Sequence, residues 1–336
     1  MTNRPPRSPR PPSEPTPASA PASAPTSSPA SMPAAPALRP LRGMRITSLA
    51  LNLPGPAALM RLAAMGARCL KIEPPAPAAA PAGSSGDPMG QYNPAAYAEL
   101  HRGVRRRTLD LKTERGRAAL ARELAGSDVL LTSFRPSALK KLGLDRAALR
   151  RAHPQLAVVC IVGAPGALAE APGHDLTYLA EAGLVTGLDL PPTLYADMAG
   201  ALLASEAVLQ AVLMRRTAGA AAARGAYVEV ALSEAAAWLA LPRHWGLTMP
   251  RGAVGGAHAG YRVYACSDGR VAVAALEPHF AAALCAAAGV AFEGMATLFA
   301  PATHERLAAF FASRTRRQLD RLASQHDIPL HTLGQR

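Results

Sequence analysis

From Met44 onward the chain alternates short continuous apolar runs with stretches whose apolar positions recur every three or four residues. The first kind fits a strand buried on both faces, the second an amphipathic helix. On that pattern MRITSLAL (44–51) predicts a strand, GPAALMRLAAMG (55–66) a helix closed by Gly66, and ARCLKIE (67–73) a second strand. A Pro/Ala/Gly-rich loop runs from Pro74 to about Pro88, followed by strands at 108–111, 128–134 and 156–163 separated by helices at 113–124 and 145–153. Such alternation predicts a parallel sheet covered on both faces. After residue 170 the rhythm changes: helices at 175–182 and 198–216, a strand at 226–233, a helix through Trp238, a hairpin over 261–276 turned by Asp268-Gly269, and helical segments at 279–288 and 302–324. The expectation is a large α/β domain followed by a smaller α+β one.

The first 40 residues lie outside this rhythm. They hold 13 of the 32 prolines, mixed with Ser, Ala and Thr, and such a segment neither completes backbone hydrogen bonding nor buries a core. It is expected to be a disordered tail. The formal charge of +13 comes from 36 Lys+Arg against 23 Asp+Glu, with the densest run at Arg102, Arg105, Arg106 and Arg107. Aromatic residues are only 4% and none interleaves with that run, which argues against nucleic acid as a partner. Guanidinium forks suit the phosphates of a small molecule better. Cys69, Cys160, Cys266 and Cys285 lie far apart without CxxC spacing, so neither a metal site nor a disulfide framework is expected. No uninterrupted apolar stretch reaches the about 18 residues of a membrane span, and no apolar leader opens the sequence; the expected location is the cytoplasm, with no membrane partner.

No GxGxxG follows the first strand, where Pro54-Gly55-Pro56 stands, and Walker A, HExxH and GxSxG are missing. What is present is an ordered series: LRGMRITSLALNLPGPAALMRLAAMGARCLKIEPP, GDPM, HRGVRRRTLDLK, ERGRAAL, SDVLLTSFRPSALKKLGL, HPQLAVVCIVGAPG, GHDLTYLAEAGL, YADMAG, YVEVALSEA, YACSDGRVAVAALEPHF and SRTRRQL. In that order these segments resemble the class III CoA-transferases, the CaiB/BaiF family that includes α-methylacyl-CoA racemase, over about residues 41–325. The GHDLTY and LEPHF segments are more similar to the racemase branch. The resemblance implies a Rossmann-like CoA-binding large domain and a small domain, in a homodimer whose chains interlock. It also implies that Asp197 holds the family's aspartate position, a nucleophile in transferases and an acid/base in racemases. His174 then matches the racemase branch's second acid/base, and Arg102, Arg105 and Arg135 match basic positions near the CoA phosphates. The substrate implied is a coenzyme A thioester, with no permanently bound cofactor.

Elementary chemistry is consistent with these roles. Removing a proton next to a thioester carbonyl needs a base on one face and an acid on the other, and imidazole serves without tuning. A carboxylate can instead attack the thioester and carry the CoA through an aspartyl intermediate. Taken on residue type alone, each position has a plainer reading. Asp197 would be the N-cap of the helix it precedes, kept ionised by the dipole; His174 a loop histidine; the arginine run a solvated face; Glu277 a helix-start residue.

Departures from the resemblance are equally specific. Ala265 stands where the racemase branch has a glutamate that partners the catalytic histidine, which puts two-base racemisation in doubt. Gly90 stands at an arginine position, Pro74 at an often basic one and His101 at an asparagine one, and the C-terminus is short. The expected layout is a tail at 1–40, a large domain at 41–230, a connecting helix at 231–248, a small domain at 249–300 and a helical C-terminal segment at 301–336. The expected activity is racemase-like α-proton exchange on a 2-methylacyl-CoA. Its alternatives are CoA transfer through Asp197 or a catalytically silent CoA-binding paralogue.

Overall fold

The computed structural model describes residues 38–81, 84–217 and 224–335; the expected tail lies outside them up to residue 37. Six strands form one parallel sheet: β1 (Arg45–Ser48), β2 (Arg68–Glu73), β3 (Arg105–Thr108), β4 (Val129–Thr132), β5 (Ala157–Val162) and β6 (Tyr227–Ala231), in the spatial order β3-β2-β1-β4-β5-β6. This is the strand order of a doubly wound fold, built without the glycine fingerprint. Helices cover both faces because the central strands are buried at nearly every position, with apolar side chains pointing both ways from β4 and β5. In β5, Val159 and Ile161 join one core with α1 (Pro54–Ala64), α7 (Asp175–Glu181), α8 (Tyr195–Thr217) and α9 (Leu232–Leu239). Val158, Cys160 and Val162 point to the other, with α4 (Glu114–Ala125), α5 (Pro136–Lys141) and α6 (Arg146–Ala152). Among the described residues α8 is the one helix long and apolar enough to cross a membrane. Its small residues Ala201, Ala204, Val208, Ala211 and Val212 are buried and let it pack closely on α1 and β5.

A second, antiparallel sheet follows the short α10 (Leu241–His244). It has the order β7-β8-β9, from β7 (Tyr261–Cys266), β8 (Gly269–Ala274) and β9 (Leu330–Leu333). Its core of Tyr264, Val271, Val273, Leu284, Leu307, Phe311 and Leu319 is shared with α11 (Pro278–Ala288), α12 (Pro301–Ala312) and α13 (Arg316–His326).

Several elements differ from expectation. The strand placed at 108–111 lies at β3 instead, on the arginine run itself, because an edge strand with all four residues exposed carries no apolar signal. The single helical segment at 302–324 is two helices, the second restarted by Thr315, whose hydroxyl accepts from Gln318 N–H at 3.3 Å while Gln318 reaches back. The C-terminal segment also contributes β9. Short helices α2 (Pro88–Tyr92) and α3 (Pro94–Leu100) occupy what had no assignment, capped by Asp87 and Asn93. Finally, α8 begins at Tyr195, so Asp197 sits inside its first turn and not at the N-cap.

Candidate active site

In a doubly wound sheet ligands bind beyond the carboxyl ends of the strands, where the strand order reverses. Here that point lies between β1 and β4. A cavity of about 280 Å³ opens there, walled by Leu51 and Asn52 after β1, Ser133 and Arg135 after β4, and Gly163 after β5. His174, Tyr178 and Asp197 complete it. The two residues singled out for acid/base chemistry therefore meet in one cavity, brought together from the starts of α7 and α8.

Asp197 is half-buried. Its backbone N–H donates to Oδ1 of the buried Asp175 at 2.9 Å, which ties the first turn of α8 to the first turn of α7. Burial, and after it the charge of Asp175, push the Asp197 carboxyl up to about 6, against a smaller downward pull from His174. The helix N-terminus was expected to keep this group ionised; desolvation raises it but leaves it ionised at neutral pH. A carboxylate of this kind is ionised at neutral pH yet holds a proton readily, which suits a base or a nucleophile. His174 is exposed at the cavity mouth, its N–H donating to Thr177 Oγ1 at 3.1 Å while the Thr177 hydroxyl returns a bond to its carbonyl at 2.7 Å. Among the described residues no ion pair links His174 to a carboxylate.

The three arginines do not converge. Arg135 lines the Asp197 cavity, whereas exposed Arg102 and Arg105 do not. Their neighbours are engaged elsewhere: Arg106 donates to the Tyr97 hydroxyl at 3.1 Å and Arg107 pairs with Glu123 at 2.7 Å. Successive strand residues point to opposite faces, so a run in sequence is not a cluster in space. An apolar cavity of about 380 Å³ shares Phe134 with the first and is walled by Leu49, Ile72, Pro74, Leu109 and Leu142.

The sequence reading missed a buried polar cluster beside this site. Lys71 of β2 is fully buried, and its ammonium pairs with Asp87, with Glu73 at 3.3 Å and with His101 Nε2 at 2.9 Å. Glu73, Asp87 and His101 are close enough to hold a metal ion. The Lys71 ammonium supplies the cation instead, three N–H donors meeting three acceptors. Asp87 also accepts from Asn52 N–H at 3.1 Å and so fixes the cavity wall. The signal was a lysine between Leu70 and Ile72 in a buried strand, which demands buried partners. His101, which stands at an asparagine position of the resemblance, serves this cluster. At Gly90 a Cβ would lie 2.6 Å from Ser85 Cβ, which excludes a larger residue. Ala265 lies on the exposed face of β7 and outside the Asp197 cavity.

A doubly wound α/β protein with an ionisable carboxylate and an imidazole at its switch point has the form of an enzyme acting on a small molecule. The chain belongs to CoA-transferase family III, whose model matches residues 41–335. It is 33% identical over 199 residues to human α-methylacyl-CoA racemase, covering 54% of this chain and 51% of that one. With a probable fatty acyl-CoA transferase of Mycobacterium tuberculosis, Rv3272, it shares 31% over 192 residues, 54% of this chain and 49% of that protein. The matched part therefore spans about half the length of these relatives. The crystal structure of Rv3272 superposes with a TM-score of 0.73 at 25% identity, covering 88% of this chain and 85% of the other. A CaiB/BaiF family protein from Brucella suis gives 0.71 at 26%, covering 87% and 83%.

Proposed function

We propose that this protein acts on acyl-CoA thioesters by racemase-like α-proton exchange, with Asp197 and His174 as the acid/base pair. The observation that carries the reading is that a carboxyl raised to about 6 and an imidazole share one cavity at the switch point. The six-stranded sheet is then the CoA-binding domain and the three-stranded body the small one. Arg135 neutralises charge beside the thioester and the apolar cavity past Phe134 takes an uncharged part of the CoA, while the exposed Arg102 and Arg105 meet its phosphates. Similarity to human α-methylacyl-CoA racemase supports the choice of a 2-methylacyl-CoA as substrate.

A second reading is favoured because no carboxylate pairs with His174 among the described residues. There Asp197 attacks the thioester and carries the CoA to a carboxylic acid, and His174 only caps α7. One experiment separates the two: the protein with 2-methylacyl-CoA in deuterated water, with and without a free acid, analysed by mass. For exchange, deuterium enters the α-carbon, and both Asp197→Asn and His174→Ala lower its rate by about 10²- to 10⁴-fold. For transfer, only Asp197→Asn is lethal and hydroxylamine traps an adduct on that residue. A protein that neither exchanges nor transfers contradicts both.

A further inference from the structure

Tyr178, in the middle of α7, is 8% exposed, and the part that remains open faces the Asp197 cavity. A buried tyrosine hydroxyl ordinarily finds a hydrogen-bond partner. This one makes no hydrogen bond among the described residues and is left open to the cavity, whereas the mostly buried Tyr97 and Tyr264 donate at 2.5 and 2.7 Å to a carboxylate and a carbonyl. Room for it has been cleared. A Cβ on Gly163 would lie 2.3 Å from the Tyr178 hydroxyl oxygen and one on Gly173 2.5 Å from it, and both glycines line the cavity. Two positions without side chains thus flank a polar group with no internal use, in the space that Asp197, His174 and Arg135 also border.

We propose, resting on the acyl-CoA reading above, that Tyr178 is a further catalytic residue whose hydroxyl donates a hydrogen bond to the thioester oxygen of the bound substrate. In α-proton exchange the base takes the proton, the C–H electron pair becomes the C=C bond of an enolate, and the carbonyl pair moves onto that oxygen. In CoA transfer the Asp197 carboxylate forms a C–O bond and the same oxygen takes the carbonyl pair until the thiolate leaves. Either way negative charge develops on one atom, and a neutral donor fixed beside it in a partly dry cavity stabilises the transition state more than the ground state. The tyrosine keeps its own proton throughout. Burial and the Asp197 charge both raise the phenol, Arg135 opposing them, so at neutral pH it is a donor.

Tyr178→Phe removes the oxygen and leaves the ring packing. We expect the rate of deuterium exchange or CoA transfer to fall by about 10²-fold, as for loss of one oxyanion donor, with calorimetric affinity for the 2-methylacyl-CoA changed less than about threefold and the melting temperature unchanged. In protein labelled with ¹³C at tyrosine Cζ, the resonance missing from the Phe variant should move when that thioester is added. A Phe variant as fast as the wild type overturns the proposal and leaves the acyl-CoA reading standing, as does a Tyr178 resonance unmoved at saturation. A wild type that binds the thioester but does not turn it over leaves the resonance to decide. A wild type that binds no CoA thioester overturns both.

Discussion

A carboxyl group that loses its proton near pH 6 leaves two signatures of opposite sense. The rate should rise with pH through about 6, because only ionised Asp197 can take an α-proton or attack a thioester. Stability should behave the other way. Folding raises this group above its ordinary 3.8, so ionisation opposes folding above about 6 and the cost disappears as the pH falls toward the unfolded value. Asp197→Asn, which never ionises, should therefore melt about 2–4 °C above the wild type at pH 8, with the difference fading between about pH 6 and pH 4. Melts across that range check it; a variant no more stable at pH 8 would sink the burial argument. Asp197 and His174 were legible in the sequence only because GHDLTY and YADMAG fall in the order of the family's motifs; on residue type alone they read as a helix cap and a loop histidine. Asp175 and Tyr178 were not. An acid at a helix start and a tyrosine within an apolar helix look like a cap and a core residue, and only the fold turns one toward Asp197 and the other toward the cavity.

Between β2 and α3 the decisive unit is the Lys71 cluster, which joins a strand, the cap of α2 and the end of α3. Removing only its cation would leave Asp87 and Glu73 buried without compensation. Lys71→Met should cost about 3–5 kcal/mol in urea unfolding, and adding Asp87→Leu should recover part of it; a single variant within about 1 kcal/mol of wild type would mean water reaches the cluster. The same unit shows which elements sequence pattern could find. Strands β4 and β5 are continuous apolar runs because both faces are covered, so they were visible. Helices α2, α3 and α5 span 5, 7 and 6 residues, too short for a periodic stripe, and only their prolines and caps mark them. Strand β9 has four residues, partly covered by β8 and α13, which no local pattern records.

At the scale of the whole molecule, the large apolar side chains left in solvent concentrate between α7 and α10. Leu188, Leu190, Leu194, Met198, Leu202, Trp238 and Trp245 are all exposed. So many large apolar side chains in solvent support a second copy of this chain as their cover. Sedimentation should give a dimer at micromolar concentration, with a melting temperature that rises with concentration; a monomer with a constant melting temperature would remove the expectation. One margin of the six-stranded sheet is built differently. Strand β3 ends it, with Arg105, Arg106, Arg107 and Thr108 all exposed. Such a margin offers unpaired N–H and C=O groups to any extended chain that drifts past, the route by which sheets grow into fibres. Guanidinium groups alternating to both sides of β3 repel a like strand laid beside it, so this run also protects the protein from its own copies when it is crowded.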